Sequence, residues 1–310
     1  MQQVNSILSK SKLYMPGVTV VMPYHRNDKR VVQNLQRLTE VRHIREVLLV
    51  NDGCSWEPTE EIQALLHADS SSEMEIRLLR NEKGKGVSGA RNTGILHATQ
   101  PLICFLDYDD IMLMHRFDRD MEHFSDPSCY ATACEYDTCQ ESDSSYNETW
   151  TVPYLPSGFT GGQDFFCNDY LGLPHLTCFT YRRSRLLESG IFFDEDLKGS
   201  EDSLFKYRCV EEMGFRTSPG SMSVRIMRHA HNTTSDVYST HLLEHRLIFF
   251  WRFSSIFVKY PLALGHFKKS YLKTLRRYIQ KKGNPMIILR HIYGNALIRM
   301  GLPAGSIGFR

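Results

Sequence analysis

Three carboxylates fall within four residues in the segment Phe105-Leu-Asp107-Tyr-Asp109-Asp110, directly after the apolar run at 102–106. Like charges this close repel unless a cation lies among them. Hard divalent ions such as Mg2+ or Mn2+ take carboxylate oxygens and commonly share their shell with substrate phosphates. The competing reading is an acidic strand-end turn in which Asp110 caps a following helix. A second acidic pair, Glu201-Asp202, precedes a helical stretch at 203–213. Carboxylates at a helix start complement its dipole, and an adjacent pair also suits a general base.

Two further spacings invite chemistry and lose it on inspection. Gly84-Lys-Gly-Val-Ser-Gly89 is a formal GxGxxG with Asp107 downstream. A dinucleotide fingerprint needs its glycines directly after a buried strand, and Arg80-Asn-Glu-Lys83 is polar. His241-Leu-Leu-Glu-His245 has the form of an inverted zinc-peptidase motif, but no Asp or Glu follows Glu244 to supply a third ligand.

Positioning these acids requires strands and helices that alternate. Short β-branched or apolar runs at 18–22 (VTVVM, closed by Pro23), 47–50 (VLLV), 76–79 and 102–106 (LICFL) read as buried strands. Helical spacing falls between them at 30–38, 60–66 and 89–98. This βαβα order with unbroken apolar strands specifies an α/β fold, mainly a parallel sheet flanked by helices. Periodicity weakens over 125–176, which is expected as a loop-rich insertion over one end of the sheet, where partner specificity usually resides, with one strand near 130–134. Strand or helix signals return at 177–181, 184–188, 203–213 and 222–227, and the chain past 239 reads as helical.

The chain holds 310 residues, 42% apolar and 23% charged, a globular composition that excludes fibrous or wholly disordered classes. Charge is divided sharply. Residues 1–239 carry 24 Lys and Arg against 34 Asp and Glu, whereas 240–310 carry thirteen basic residues and one acid, Glu244. The expected organisation is therefore a catalytic domain at 1–239 and a basic, aromatic-rich helical region at 240–310. The first residues lack a charged-then-apolar leader, and the longest apolar stretch, 247–258, is interrupted by Arg252 and too short for the ~20 residues of a spanning helix. The eight scattered cysteines read as reduced packing thiols. The expected location is cytoplasmic, with peripheral attachment at the inner face of the membrane.

In order and spacing, the motifs resemble the family 2 glycosyltransferases of GT-A (Rossmann-like) fold. They are Pro23 at the first strand end, Val50-Asn-Asp52-Gly-Cys54 at the second, and Gly86-Val-Ser-Gly-Ala-Arg91-Asn92-Thr-Gly94-Ile95. Asp107-Tyr-Asp109-Asp110 follows, then Gly190-Ile-Phe-Phe-Asp194-Glu195, Glu201-Asp202 with Arg208 and Gly214, and Arg228-His-Ala-His-Asn232-Thr-Thr-Ser235. The resemblance covers about 17–235. It implies an inverting transfer from a nucleotide-diphosphate sugar, a UDP-sugar first, with Mn2+ or Mg2+. It implies that Pro23, Tyr24 and Asp52 contact the base and that Arg91 meets the phosphates or holds the acidic loop. Asp107 would meet ribose or metal, Asp109 the metal, and His229 or His231 the metal or diphosphate. Asp202 would be the general base, with Glu201 placing the acceptor.

Pro23-Tyr-His-Arg26 and Asn51-Asp52-Gly-Cys54 depart from the usual Pro-x-Tyr-Asn and Asp-Asp-Gly-Ser, both at the base pocket. The Gln-x-x-Arg-Trp motif of processive synthases is absent, so one sugar per encounter is expected. The acceptor would be a glycan or lipid-linked molecule in cell-surface glycan assembly. The 240–310 region either lies on anionic lipid, with Phe249, Phe250, Trp251, Phe253, Phe257 and Tyr260 as anchors, or packs those rings on the body. No nucleic-acid module accompanies its charge. The rival readings are a nucleotidyltransferase and an inactive, membrane-tethered binding module.

Overall fold

The computed structural model describes residues 16–68, 74–84, 86–140, 158–167, 173–228, 239–289 and 291. Its amino-terminal part runs β1 (Val18–Tyr24), α1 (Lys29–Leu38), β2 (Ile44–Asn51), α2 (Thr59–Ala68), β3 (Glu75–Arg80), α3 (Val87–His97) and β4 (Leu102–Phe105). β3, β2, β1 and β4 lie side by side and parallel. Both faces are covered, which is why their sequences are apolar without alternation. Val20 and Met22 pack with Val31, Leu35 and Leu38 of α1 on one face, while Val21 packs with Ala90 and Ile95 of α3 on the other. α3 lies so close that a Cβ on Gly94 would come within 2.3 Å of the Val21 side chain.

Beyond β4 the sheet changes character. Its remaining elements are β5 (Ile111–Met112), α4 (Asp118–Phe124), β6 (Ala131–Gln140), β7 (Gly158–Thr160), α5 (Gly162–Cys167), a 3-10 turn (Leu176–Cys178), β8 (Phe179–Arg182), α6 (Arg183–Glu188), α7 (Glu201–Met213) and β9 (Phe215–Arg228). Sheet order is β3-β2-β1-β4-β8-β6-β9-β5, with β7 also on β9. β8 runs antiparallel to β4 and β6, β6 and β9 are parallel, and β5 and β7 run antiparallel to β9. The chain therefore turns from one direction of winding to the other across β1 and β4, and the crevice at their carboxyl ends is where ligands bind in open α/β sheets.

Four expectations need correction. β1 does not stop before Pro23 but continues through it to Tyr24, with Pro23 paired in register with Val50. Asp110 caps no helix, because β5 follows it. The strand expected at 177–181 begins with a 3-10 turn and becomes extended only from Phe179. The stretch 125–176 includes β6, an interior strand of the sheet, and α5, whose Phe165 and Phe166 are buried in the main core.

The carboxy-terminal helices α8 (Thr240–Arg252), α9 (Ser254–Lys259) and α10 (Pro261–Gln280) answer the choice between lipid anchor and packing for several aromatics. Phe249, Phe250 and Phe253 are buried in the same cluster as β8 and α7, and Tyr260 stacks on Phe166 at 5.1 Å. These rings face protein, since burying an aromatic side chain here removes a large apolar surface from water. The side chain of Phe257 lies outside the described residues. Among the described residues no helix is long and apolar enough to cross a membrane.

Candidate active site

The candidate residues at the ends of β1 and β2 are held chiefly by main-chain groups. Tyr24 is buried and its hydroxyl donates to the Trp56 carbonyl at 3.2 Å, with the two rings edge to face. Burial pushes its phenol well above the ordinary tyrosine range, so it stays protonated. The Asp52 amide donates to the Tyr24 carbonyl at 2.8 Å, which places Asp52 beside the end of β1. Its Oδ1 accepts from Asn81 Nδ2 at 2.7 Å and from the Gly86 amide at 2.9 Å. Asp52 thus already braces the 81–86 loop. Asn51, standing where an acid is usual, closes the strand end on itself: it accepts from the Cys54 amide at 2.7 Å and donates to the Cys54 carbonyl at 2.9 Å.

The acidic loop after β4 is propped from beneath. Asn34 of α1 donates to the carbonyls of Tyr108 and Asp110 at 2.6 and 2.7 Å. Arg26 donates to the Tyr108 hydroxyl at 2.8 Å. Asp110 is buried and structural: its Oδ1 accepts from the Met227 amide at 3.1 Å and its Oδ2 from the Thr177 hydroxyl at 3.4 Å. Burial, then the charges of Asp107 and Asp109, push its carboxyl well above the usual range. Asp107 is open to the crevice, with 43% of its side chain exposed.

Arg91 joins the two acidic regions. It is buried on α3, pairing with Asp107 at 2.8 Å through one terminal nitrogen and with Glu201 at 3.2 Å through the other. Its guanidinium also lies 5.3 Å from the centre of the Phe193 ring. Burial opposes the charge, yet the carboxylates of Asp107 and Glu201 keep its pKa above the ordinary arginine value. Two carboxylates distant in sequence are thereby fixed across one planar fork.

Glu201 and Asp202 open α7 directly after Ser200, whose φ of 63° turns the chain sharply into the helix. The neighbouring acids differ. Burial and the charge of Asp202 raise Glu201, partly offset by Arg91. Desolvation works against ionisation of Asp202 too, but Lys206, Arg91 and His175 outweigh it and hold that carboxyl down at about 2. Asp202 keeps 32% of its side chain exposed and faces Lys206 Nζ at 3.3 Å. The preceding loop is clamped by α8: the Lys198 amide donates to His245 Nδ1 at 3.0 Å, and a Cβ on Gly199 would meet Leu242 at 3.1 Å.

Pro23, Tyr24, Asp52, Arg91, Asp107, Asp109, Glu201 and Asp202 thus all belong to the carboxyl ends of β1, β2 and β4 or to the helices α3 and α7 beside them. His229 and His231 lie outside the described residues. Sequence reasoning missed Asn34, Asn81, His175 and Lys206, which hold the acids or face them. Among the described residues no group of three or more His, Cys, Asp or Glu is gathered as a metal cage. The donor set nevertheless suits a hard cation shared with a ligand's phosphates: Asp107 is accessible, and Asp109, two residues on, adds a second carboxylate to the same loop.

This fold and crevice are those of a GT-A transferase. The Glycosyl transferase family 2 model matches residues 19–189, more than half of the chain, and the protein belongs to that family. One curated relative is the UDP-Glc:alpha-D-GlcNAc-diphosphoundecaprenol beta-1,3-glucosyltransferase WfgD of Escherichia coli, 32% identical over 101 residues. That match takes in 33% of the chain and spans only 38% of the relative's length. Among solved structures, Staphylococcus aureus TarS 1-349 in complex with UDP-GlcNAc superposes with a TM-score of 0.61 at 13% identity, covering 85% of this chain and 81% of that one. The mannosyltransferase PcManGT of Pyrobaculum calidifontis, in complex with GDP-Man and Mn2+, gives 0.54 at 17% identity, covering 95% and 79%. At these identities the likeness is one of fold.

Proposed function

We propose that the protein transfers one sugar from a nucleotide-diphosphate sugar, most readily a UDP-sugar, to an acceptor hydroxyl with inversion at the anomeric carbon. The observation that carries this reading is the Arg91 junction, which ties an open donor-side carboxylate, Asp107, to the acid pair that opens α7. Family membership and the nucleotide-sugar ligands of the two structural neighbours support it.

Pro23, Tyr24 and Asp52 would line the base pocket, with Asp52 keeping Asn81 and the Gly86 amide aligned beside it. Arg91 would orient Asp107 towards the ribose or the diphosphate. Mn2+ or Mg2+, held by Asp109 and Asp107 with His229 or His231, would neutralise charge on the leaving diphosphate. Asp202, ionised at neutral pH, would accept the proton of the acceptor hydroxyl as its oxygen bonds to the anomeric carbon and the carbon–phosphate-oxygen bond breaks. Glu201, held by Arg91, would orient the acceptor. The acceptor would be a glycan or a lipid-linked molecule at the inner membrane face. The exposed side of α10 would lie nearest anionic lipid, since Leu272 and Ile279 are each 49% exposed among Lys268, Lys273 and Arg276. The catalytic groups would lie within 1–239, with α8 bracing the loop before Glu201.

The test is nucleotide release from UDP-, GDP- and dTDP-sugars with Mn2+, Mg2+ or EDTA, beside Asp109→Ala. Metal-dependent release from one donor, lost in the variant, is the expected result. Metal-dependent binding without turnover on any acceptor would favour the inactive module, and no nucleotide binding at all would sink the proposal.

A further inference from the structure

Lys206 is a buried ammonium one helical turn beyond Asp202. Among the described residues its Nζ has two partners: the Asp202 carboxylate at 3.3 Å and the Pro174 carbonyl, to which it donates at 2.9 Å. A lysine this deeply buried is costly unless its charge is matched, and an acid four residues earlier on the same helix face supplies the match. The carbonyl is the informative partner. It belongs to the segment that enters the 3-10 turn, and the next residue, His175, is exposed, with its ring edge-on to Tyr136 of β6 at 5.6 Å.

We propose that Lys206 is a positioning residue for the transfer, fastening Asp202 and the Pro174–His175 segment into one unit so that the proton acceptor and the loop beside it keep a fixed relation. The assignment rests on the reading of Asp202 as the base. It extends that reading to a residue that none of the family-like motifs contains. The groups facing Asp202 are Glu201, Lys206 and Tyr207 on α7, Arg91 on α3, His175 before the 3-10 turn and Tyr181 on β8. Of these, Lys206 is the strongest influence keeping the carboxyl ionised. Its part is to fix where the carboxylate oxygen points.

The test reads the carboxylate directly. In protein labelled with 13C at aspartate carboxyls, the Asp202 signal is assigned by its loss in Asp202→Asn and followed with pH. In the native protein it should remain at the ionised shift down to about pH 4, and in Lys206→Arg it should do the same. In Lys206→Met its midpoint should rise by at least about one pH unit, an effect that a purely packing role would not produce. If Lys206→Met fails to fold and Asp202→Asn in the same chain restores folding, the damage is the stranded carboxylate, and the pairing is supported by that route. A carboxyl that titrates at the same pH with and without the lysine, or a folding defect that Asp202→Asn leaves uncorrected, overturns the proposal. None of these readings depends on turnover. Failure of the transferase reading shows separately, as absence of UDP binding in calorimetry on the native protein.

Discussion

The two halves of the crevice hold their acids by different means. On the strand-end half, Asp52 is fixed by short loops at the ends of parallel strands, through hydrogen bonds from the Gly86 amide and Asn81, and the acidic loop stands on Asn34. On the α7 half, Glu201 and Asp202 stand at a helix start and are fixed by opposite charges, Arg91 and Lys206. The difference teaches that loops at parallel strand ends can hold an acid such as Asp52 with neutral amide donors, whereas the acids of a helix entered through a left-handed residue rely here on ion pairs. Groups in the second arrangement feel every change in local charge, and those in the first feel chiefly changes in shape.

The comparison breaks most visibly at the proposed base. Asp202→Asn should lower UDP release by about 10²–10⁴-fold while UDP affinity by calorimetry stays within about two-fold; a parallel loss of UDP binding would show that the halves are not separable. Arg91 belongs to both. Arg91→Met leaves the Glu201 carboxylate half-buried without its guanidinium and should cost about 3–5 kcal/mol, read as a lowered urea midpoint. On the strand-end half, Asn81→Ala should weaken UDP binding by about 1–3 kcal/mol through release of Asp52, Gly84 and Gly86, with turnover of bound donor little changed.

The smallest effect sharpens the contrast through pH. Asp28, the cap of α1, accepts from the Arg30 amide and is paired with the Arg30 side chain, and those hydrogen bonds hold its carboxyl at about 2. A folded-state pKa below the unfolded one gives stability above the unfolded value that fades as pH falls. Asp28→Ala should therefore cost about 1 kcal/mol at neutral pH, and the gap in urea midpoints should close between about pH 4 and pH 2.

The parallel half was legible because strands buried on both faces must be apolar at every position, and Val20, Val21 and Met22 leave no other reading. Of β6 only the start, near 130–134, was legible, because its later residues include Glu135 and Asp137, and Asp137 is satisfied by a two-pronged pair with Arg225 on β9, 88 residues away. No local pattern announces such a partner. The acids of the site stood out by type and position. Asn34, Asn81 and Lys206 did not, since an amide or ammonium bonded to a distant carbonyl has no spacing to detect. The tail aromatics show the same limit: composition left Phe249 and Phe253 open between lipid and the body, and the fold sets both rings against Tyr207.

The contact between α8 and the loop before α7 has a consequence for anyone building chimaeras. Leu242 and His245 sit on Gly199 and the Lys198 amide, two or three residues from the acids. A carboxy-terminal segment exchanged with that of another member would therefore arrive carrying half of a lock. Grafts that move 198–200 together with α8 should keep their activity, and those cut between them should lose it however well the strand-end half of the crevice is preserved.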